Sequence, residues 1–274
     1  MRLTRLSMAV GIAALGWGCI STETVIRVKP DGSGIVTETV TIATEAVANA
    51  IALSGQPENK HQPFSDVGLG PLTDPALAQA RALTMGEGVT FVSADPIETA
   101  TTRGLTVVYA FRDVSKLRVS QRPDSRLGLP ATRPQQQVRF AFERGPRGTS
   151  VLIVRMRDPQ ATPPAKSSPP RSPKPEISPA TLAMAQQIFR GMRLRLAVEV
   201  EGKIESCSSL LVEGSTVTLL DIDFGVLAED GAKLNQLRAA SGGGSIENVQ
   251  QALKNAPGVK ISLEPEVRIE FSGR

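Results

Sequence analysis

Apolar and polar residues alternate one by one along two short segments near the start of the chain, residues 26–29 and 36–42. Between them, residues 30–34 read Pro-Asp-Gly-Ser-Gly. A period of two on both sides of a Pro/Asp/Gly cluster is typical of two antiparallel strands joined by a tight turn, and Asp31-Gly32 suits the backbone angles of such a turn. The pattern therefore predicts a β-hairpin at the start of the folded part.

Further alternating stretches predict additional strands. They lie near residues 89–93, 105–111, 138–143, 151–156 and 194–201, and the last of these alternates most cleanly. A second hairpin is expected over 210–224. Two adjacent apolar residues, Leu219 and Leu220, interrupt its alternation of apolar and polar residues and so predict a β-bulge. The final strand is expected over 259–271, and Pro265 interrupts it, which predicts a sheet edge or a break at that point.

Other regions show the spacing of amphipathic helices. The expected helices lie within residues 44–88, from residue 178 onwards, at 225–239 and at 245–256. Asp74 before Pro75 is a favourable helix start, because Asp accepts hydrogen bonds from free amides and proline fits the first turn. Strands and helices together predict an α+β fold with largely antiparallel sheets built from hairpins and with helices packed on one face.

The clearest internal boundary is a proline-rich segment at residues 159–179. Its prolines stand among Lys, Arg and Ser, a composition that buries too little apolar surface to order itself. We therefore expect a leader at 1–18, an N-terminal α+β part at 19–158, a proline-rich linker or loop at 159–179 and a C-terminal α+β part at 180–274. The strands on either side of the proline-rich segment could share one sheet.

The first nineteen residues have the pattern of an export signal. Arg2 and Arg5 are followed by an apolar run of about 11 residues and by small residues up to Cys19. The run is shorter than the ~20 residues that a membrane-spanning helix needs. A cysteine directly after Gly18 predicts lipid attachment at Cys19 after cleavage, although Gly16 stands where leucine is usual in bacterial lipoprotein leaders. Ordinary cleavage, and an uncleaved or unexported chain, are the alternatives.

Lipid at Cys19 would place the protein in the cell envelope, anchored to a membrane and facing the periplasm. Two acyl chains anchor a protein stably. Ile20, which is not acidic, follows the cysteine and favours the outer membrane over the inner one. The first strand is expected about five residues after Cys19, a tether of roughly 13–18 Å. We therefore expect the folded body to lie close to the lipid head groups.

Composition narrows the classes of partner. The chain has 31 basic and 27 acidic residues, and removal of Arg2 and Arg5 with the leader brings the mature chain close to neutral. Aromatic residues make up only 4%, which disfavours stacking surfaces for bases or sugars. We expect no nucleic-acid partner.

Few residues offer catalytic or metal-binding chemistry. The single histidine, His61, lies in a polar stretch, and the chain has no Gly-x-Ser-x-Gly motif that would accompany a catalytic triad. One histidine and at most one thiol match no zinc-site spacing. The three glycines at 242–244 precede no Lys-Ser/Thr pair, so they predict a linker and not a phosphate-binding loop. We expect no catalytic residue, no metal and no cofactor.

Five other side chains have an ordinary and a functional interpretation. Asp221 and Asp223 share a strand face, and a solvated face explains them better than acid–base or metal chemistry. Arg193 and Arg195 also fit a solvated strand face, with lipid phosphates as the alternative. Cys207 has no disulfide partner if Cys19 carries lipid, which leaves either a small, partly buried side chain or a free reactive thiol.

Several stretches resemble known proteins. Cys19, the strand at 25–29 and the Pro-Asp-Gly-Ser-Gly turn at 30–34 look like the mature start of uncharacterised bacterial envelope lipoproteins. Gly-Lys-Ile at 202–204, followed by Val-Glu-Gly-Ser-Thr-Val-Thr at 212–218, is similar to a hairpin of the mycobacterial LppM-type lipoprotein domain. The resemblance implies an anchored α+β domain without an established catalytic activity.

Three functions are compatible with these patterns. The first is a membrane-anchored envelope lipoprotein with a non-catalytic binding or structural role near the membrane, whose partner is a lipid or an envelope protein. The second is a lipid- or hydrophobe-binding domain, which requires an apolar pocket. The third, and least favoured, is an enzyme with carboxylates clustered around Asp221 and Asp223.

Overall fold

A computed structural model describes residues 20–44, 75–120, 137–156, 189–233, 256–262 and 264–273, together with residues 183, 186, 236 and 253. The strands are β1 (Ile20–Val28), β2 (Gly34–Ala43), β3 (Thr90–Glu98), β4 (Thr102–Phe111), β5 (Arg118–Ser120), β6 (Gln137–Arg144), β7 (Thr149–Arg155), β8 (Arg193–Val200), β9 (Lys203–Cys207), β10 (Val212–Glu213), β11 (Thr216–Asp223), β12 (Val259–Ile261) and β13 (Glu266–Ser272). Short helices lie at α1 (Pro75–Ala82) and α2 (Phe224–Glu229), and 3-10 turns lie at Val114–Lys116 and Pro146–Gly148.

The strands form two sheets. Sheet A has eight strands in the order β10-β11-β8-β1-β2-β4-β3, with β12 also paired to β11. Sheet B has five strands in the order β5-β6-β7-β13-β9. All pairings are antiparallel except β1 with β8, which run in parallel through the middle of sheet A.

Strands from both sides of the proline-rich segment lie side by side in both sheets. In sheet A, β8 pairs with β1. In sheet B, β13 pairs with β7. The segment itself lies outside the described residues, but the strands that precede and follow it are hydrogen-bonded to each other.

The first predicted hairpin is confirmed. Val28 pairs with Gly34, and the turn closes with hydrogen bonds between Lys29 and Ser33 and from Gly32 N–H to the Lys29 carbonyl. Gly32 has a φ of 86°, which an L side chain rarely adopts. The Asp31 carboxylate accepts from the backbone N–H of Ser33 at 2.9 Å and from its hydroxyl at 2.7 Å, and these bonds lower the pKa of Asp31.

Two predicted irregularities are also confirmed. The pairing of β11 with β8 shifts register between Thr218 and Leu220, so the bulge lies where the adjacent apolar residues interrupt the alternation. Pro265 separates β12 from β13, which enter different sheets. The break therefore lets the last part of the chain contribute one strand to each sheet.

The core lies on one face of sheet A. Its buried positions on β1 are Ile20, Thr22, Thr24, Ile26 and Val28, in strict alternation with partly exposed residues. Two of them, Ile26 and Val28, belong to one continuous cluster that also contains side chains of sheet B and of α1: Val119, Val138, Phe140, Leu152, Val154, Val267, Ile269, Phe271, Ala78 and Ala82. The principal core therefore joins side chains of both sheets.

The expected α+β arrangement with helices packed on one face of the sheets is wrong. Over the residues that the structure describes, the chain is mostly β, with two mixed or antiparallel sheets and only short helices. The physical reason is size, because helices of eight and six residues are too small to cover a sheet of this width. Apolar side chains of sheet B, alternating along its strands, supply much of the surface that the helices were expected to supply.

The predicted helices have mixed outcomes. The helix starting at Pro75 is present as α1, while its predicted cap Asp74 lies outside the described residues. The helix expected at 225–239 is interrupted at Asp230: α2 ends at Glu229, and residues 231–233 and 236 are again helical. The helix expected from residue 178 and the one at 245–256 lie mostly outside the described residues.

Candidate functional site

The start of β1 is the part of the structure closest to the predicted lipid site. Cys19 lies outside the described residues, and β1 begins at the next residue, Ile20. The prediction of a first strand some five residues after Cys19 was wrong, because the pairing of Ile20 with Ile42 extends the ladder to the first described residue. The tether between Cys19 and the sheet is therefore a single peptide bond.

This end of sheet A, where β1 and β8 begin and β2 and β11 end, is called the Ile20 end. Ser21 pairs with Arg193 at the start of β8, and Arg193 pairs with Asp223 at the end of β11. A tight turn precedes β8, since the Met192 N–H donates to the Phe189 carbonyl at 3.0 Å.

A row of charged side chains runs along the outer face of sheet A from the Ile20 end. Nearest to that end, Arg193 donates to both carboxylate oxygens of Asp221 at 2.8 Å, the two-pronged geometry that suits a guanidinium. The hydrogen bond to Asp221 raises the pKa of Arg193 above its ordinary value, and partial burial opposes this effect. The neighbouring β11 places Asp221 within reach, because Asp221 is two residues before the partner of Arg193.

The row continues along β1 and β8. Arg195 forms an ion pair with Glu23, its register partner on β1. Arg27 pairs with Glu199 at 3.0 Å in the same way, four residues further along. Parallel register places the partners of the last two pairs directly beside each other, so all three arginines described contact an acidic side chain.

The prediction that Asp221 and Asp223 lie on a solvated face is wrong for Asp221. Asp221 is only 9% exposed, because Arg193 covers its carboxylate. Asp223 instead accepts a hydrogen bond from the Val226 N–H at 3.1 Å and caps α2. Asp221 thus forms an ion pair and Asp223 caps a helix, and both contacts stabilise the fold.

Replacement of Asp223 by alanine is expected to lower the free energy of unfolding by about 1 kcal/mol, because α2 loses its N-terminal cap. The Asp223→Asn variant keeps a side-chain acceptor and is expected to stay within a few tenths of a kcal/mol of the parent. Urea unfolding measures both. Equal destabilisation by both variants would show that the charge of Asp223, and not its capping bond, matters.

The two arginines that could have met lipid phosphates are therefore bound within the protein. Arg193 and Arg195 contact Asp221 and Glu23, respectively. Their side chains remain 51% and 32% exposed. Contact with an external phosphate would have to compete with an existing carboxylate, which favours the interpretation as a paired strand face.

Cys207 lies at the end of β9, the edge strand of sheet B, and is a free, half-buried thiol. Burial raises its pKa, a backbone hydrogen bond from Ser209 opposes this, and the nearby charge of Glu264 raises it further. The raised pKa keeps the thiol protonated and less reactive. The surroundings of Cys207 therefore favour its interpretation as a small, partly buried side chain over that as a reactive thiol.

Other predicted positions lie outside the described residues: His61 and the glycines at 242–244. Among the residues that are described, no group of three or more His, Cys, Asp or Glu side chains could hold a metal ion. Across the same ranges, no helix is both long enough and apolar enough to cross a membrane.

A deeply buried ion pair within the described residues was not predicted. Glu38 on β2 is 3% exposed and points into the core face with Thr24, its partner on β1. Arg81 of α1 reaches it, with Nε 2.9 Å from Glu38 Oε2 and Nη2 2.9 Å from Oε1. The signal was present in the sequence, since Glu38 stands between Val36 and Val40 in the series of every second residue that faces the core. A charge at such a position requires a partner, but the partner's identity depends on how α1 packs.

Comparisons with known proteins give little more. No protein-family model matches the chain, and no curated protein matches it. A solved structure, the NMR structure of the folded domain of the Mycobacterium tuberculosis LppM protein, matches over 93% of this chain and 90% of that chain, with 11% identity and a TM-score of 0.34. This is a distant structural resemblance to the family that residues 202–204 and 212–218 resemble in sequence. Its score is too low to assign the chain to that family.

Proposed function

We propose that this protein is a bacterial envelope lipoprotein, anchored to a membrane through lipid at Cys19, with a non-catalytic binding or structural role at the membrane surface. One observation carries the proposal: the basic and apolar leader ends in small residues and Cys19, and β1 begins at the very next residue. Lipid on Cys19 would hold the sheet itself, with no flexible tether, against the membrane.

The non-catalytic role is supported by the way the described charges are used. Asp221 and Glu23, which lie on the outer face close to the Ile20 end, are bound by Arg193 and Arg195. Asp223 caps α2. These groups stabilise pairing between strands and the start of a helix, so their carboxylates are engaged in structural contacts and are not free to accept a proton from a substrate.

The proposal predicts a specific N-terminus for the native protein. The membrane fraction of the producing cell is expected to contain a chain that starts at Cys19, with a diacylglyceryl group on its sulfur. Mass spectrometry of the N-terminal peptide measures both the cleavage site and the added mass. A mature chain that starts at Met1, or that has an unmodified Cys19, would contradict the proposal.

A further inference from the structure

We propose that the turn before β8 and the start of α2 form the surface that contacts the bilayer. This surface, residues 189–192 and 224–226, is called the rim. The proposal rests on the proposed function, because the lipid at Cys19 supplies the anchor. It adds which end of the protein faces the lipid head groups and which side chains lie among them.

The position of the rim follows from the strand register. Ser21 pairs with Arg193 in the parallel β1–β8 ladder, so Met192 lies at the level of Ile20. The Phe224 N–H donates to the Met192 carbonyl at 2.9 Å, which joins the start of α2 to the turn. Neighbouring strands are ~4.8 Å apart, so the backbone of Met192 and of Phe224, where the rim joins the sheet, lies within about 10 Å of the backbone at Ile20. Acyl chains on Cys19 would leave the protein at this end of the sheet.

The rim presents apolar side chains where the anchor would emerge. Val226 is 38% exposed, although it is a large hydrophobic residue. Phe189, Met192 and Phe224 are half-buried, and the two phenylalanine rings lie 6.0 Å apart with a tilt of 31°. Aromatic and aliphatic side chains beside exposed Arg190 form the mixed surface that suits the head-group region of a bilayer.

The rim is preformed, which lowers the cost of binding a surface. Gly191, at a φ of 76°, allows the tight turn, and the Met192 to Phe189 hydrogen bond closes it. The capping bond from Asp223 fixes the first turn of α2, and the Asp223 N–H donates to the Gly258 carbonyl at 2.8 Å. A surface that is already ordered loses little conformational entropy when it meets a partner.

The chain provides a closely matched control at the other end of sheet A. Val212 on β10 is also 38% exposed. It pairs with Val217, whereas the β11 residue nearest the rim is Asp223, so the two valines are separated by about 20 Å along the sheet. A probe at Val226 and the same probe at Val212 therefore differ mainly in their distance from the Ile20 end.

The test uses the full, lipidated chain with Cys207→Ala, which removes the native free thiol, and either Val226→Cys or Val212→Cys. Each variant is labelled with a thiol-reactive fluorophore and bound to vesicles of phosphatidylethanolamine and phosphatidylglycerol. Some vesicles also contain a lipid with a nitroxide at the head-group level. We expect strong quenching of the label at position 226 and, at position 212, no quenching beyond that in vesicles without nitroxide.

Flotation of the vesicles separates the two proposals. Protein that floats, but whose label at position 226 is not quenched more than that at 212, would overturn the rim and leave the lipid anchor standing. Protection of position 226 from a water-soluble quencher without quenching by nitroxide lipid would also overturn it, and would indicate a second copy or a protein partner on the rim. Protein that does not float would overturn both proposals.

Discussion

A chain with Cys19→Ala, exported behind the leader of an ordinary secreted protein, is expected to move almost completely from the membrane fraction to the soluble fraction. Each buried methylene of an acyl chain contributes ~0.8 kcal/mol, so a single chain anchors marginally and two anchor stably. Loss of both chains therefore removes the main source of membrane affinity that the proposal assigns. Ultracentrifugation of lysed cells, followed by quantification of the protein in pellet and supernatant, measures the change.

The matched control is Cys207→Ala, which removes the other cysteine of the chain. Cys207 lies in β9, at an edge of sheet B, and the proposal gives it no role in anchoring. This variant is expected to remain in the pellet like the parent. If Cys19→Ala also remained in the pellet, in a folded and monomeric form, anchoring through Cys19 would be refuted.

Replacement of Glu38 by alanine is expected to lower the free energy of unfolding by about 3–5 kcal/mol, because it leaves the Arg81 guanidinium without its carboxylate beneath a largely closed surface. The Glu38 and Arg81 side chains are only 4% and 15% exposed. Water can therefore replace the lost partner only incompletely. Chemical denaturation of the parent and the variant, at constant pH and ionic strength, measures the difference.

A second glutamate–arginine pair provides the control for burial. Glu199 and Arg27 have nearly the same separation, 3.0 Å, but their side chains are 29% and 49% exposed. Glu199→Ala is expected to cost less than about 1 kcal/mol, as exposed ion pairs do. The double variant Glu38→Leu with Arg81→Met is expected to recover much of the stability lost in Glu38→Ala, because apolar replacement of both partners leaves no unpaired charge. Equal losses for Glu38→Ala and Glu199→Ala would contradict this account.

The hairpins and interruptions could be predicted because their causes are local. The turn at residues 30–34 requires glycine at positive φ, and Gly32 supplies it three residues after Lys29. The bulge at Leu219 follows from two adjacent apolar residues in a strand that otherwise alternates. Pro265 cannot donate a ladder hydrogen bond, so a strand must stop near it. In each case the signal and its structural effect lie within a few residues.

The fold class could not be predicted in the same way. Alanine-rich stretches have the spacing of helices, but the length that a helix reaches depends on what covers it. In the range of the predicted 225–239 helix, α2 ends at Glu229, and helical backbone resumes at residues 231–233 after a break at Asp230. The face of sheet A that helices were expected to cover belongs instead to a cluster with Leu152, Ile269 and other residues of sheet B. Either a helix or a second sheet can cover such a face. The choice depends on contacts between residues far apart in the chain, and the local periodicity of the sequence carries no information about these contacts.

The amino-acid sequence by itself determined the parts that depend on near neighbours: the export pattern that ends at Cys19, the alternation of most strands, the first turn and the break at Pro265. Tertiary structure alone decided which strands meet. Only the parallel pairing of β1 with β8 sets Arg195 beside Glu23, 172 residues away, and only the packing of α1 brings Arg81 to Glu38. These contacts join distant segments, and their free energy depends on burial and register, which exist only once the chain has folded.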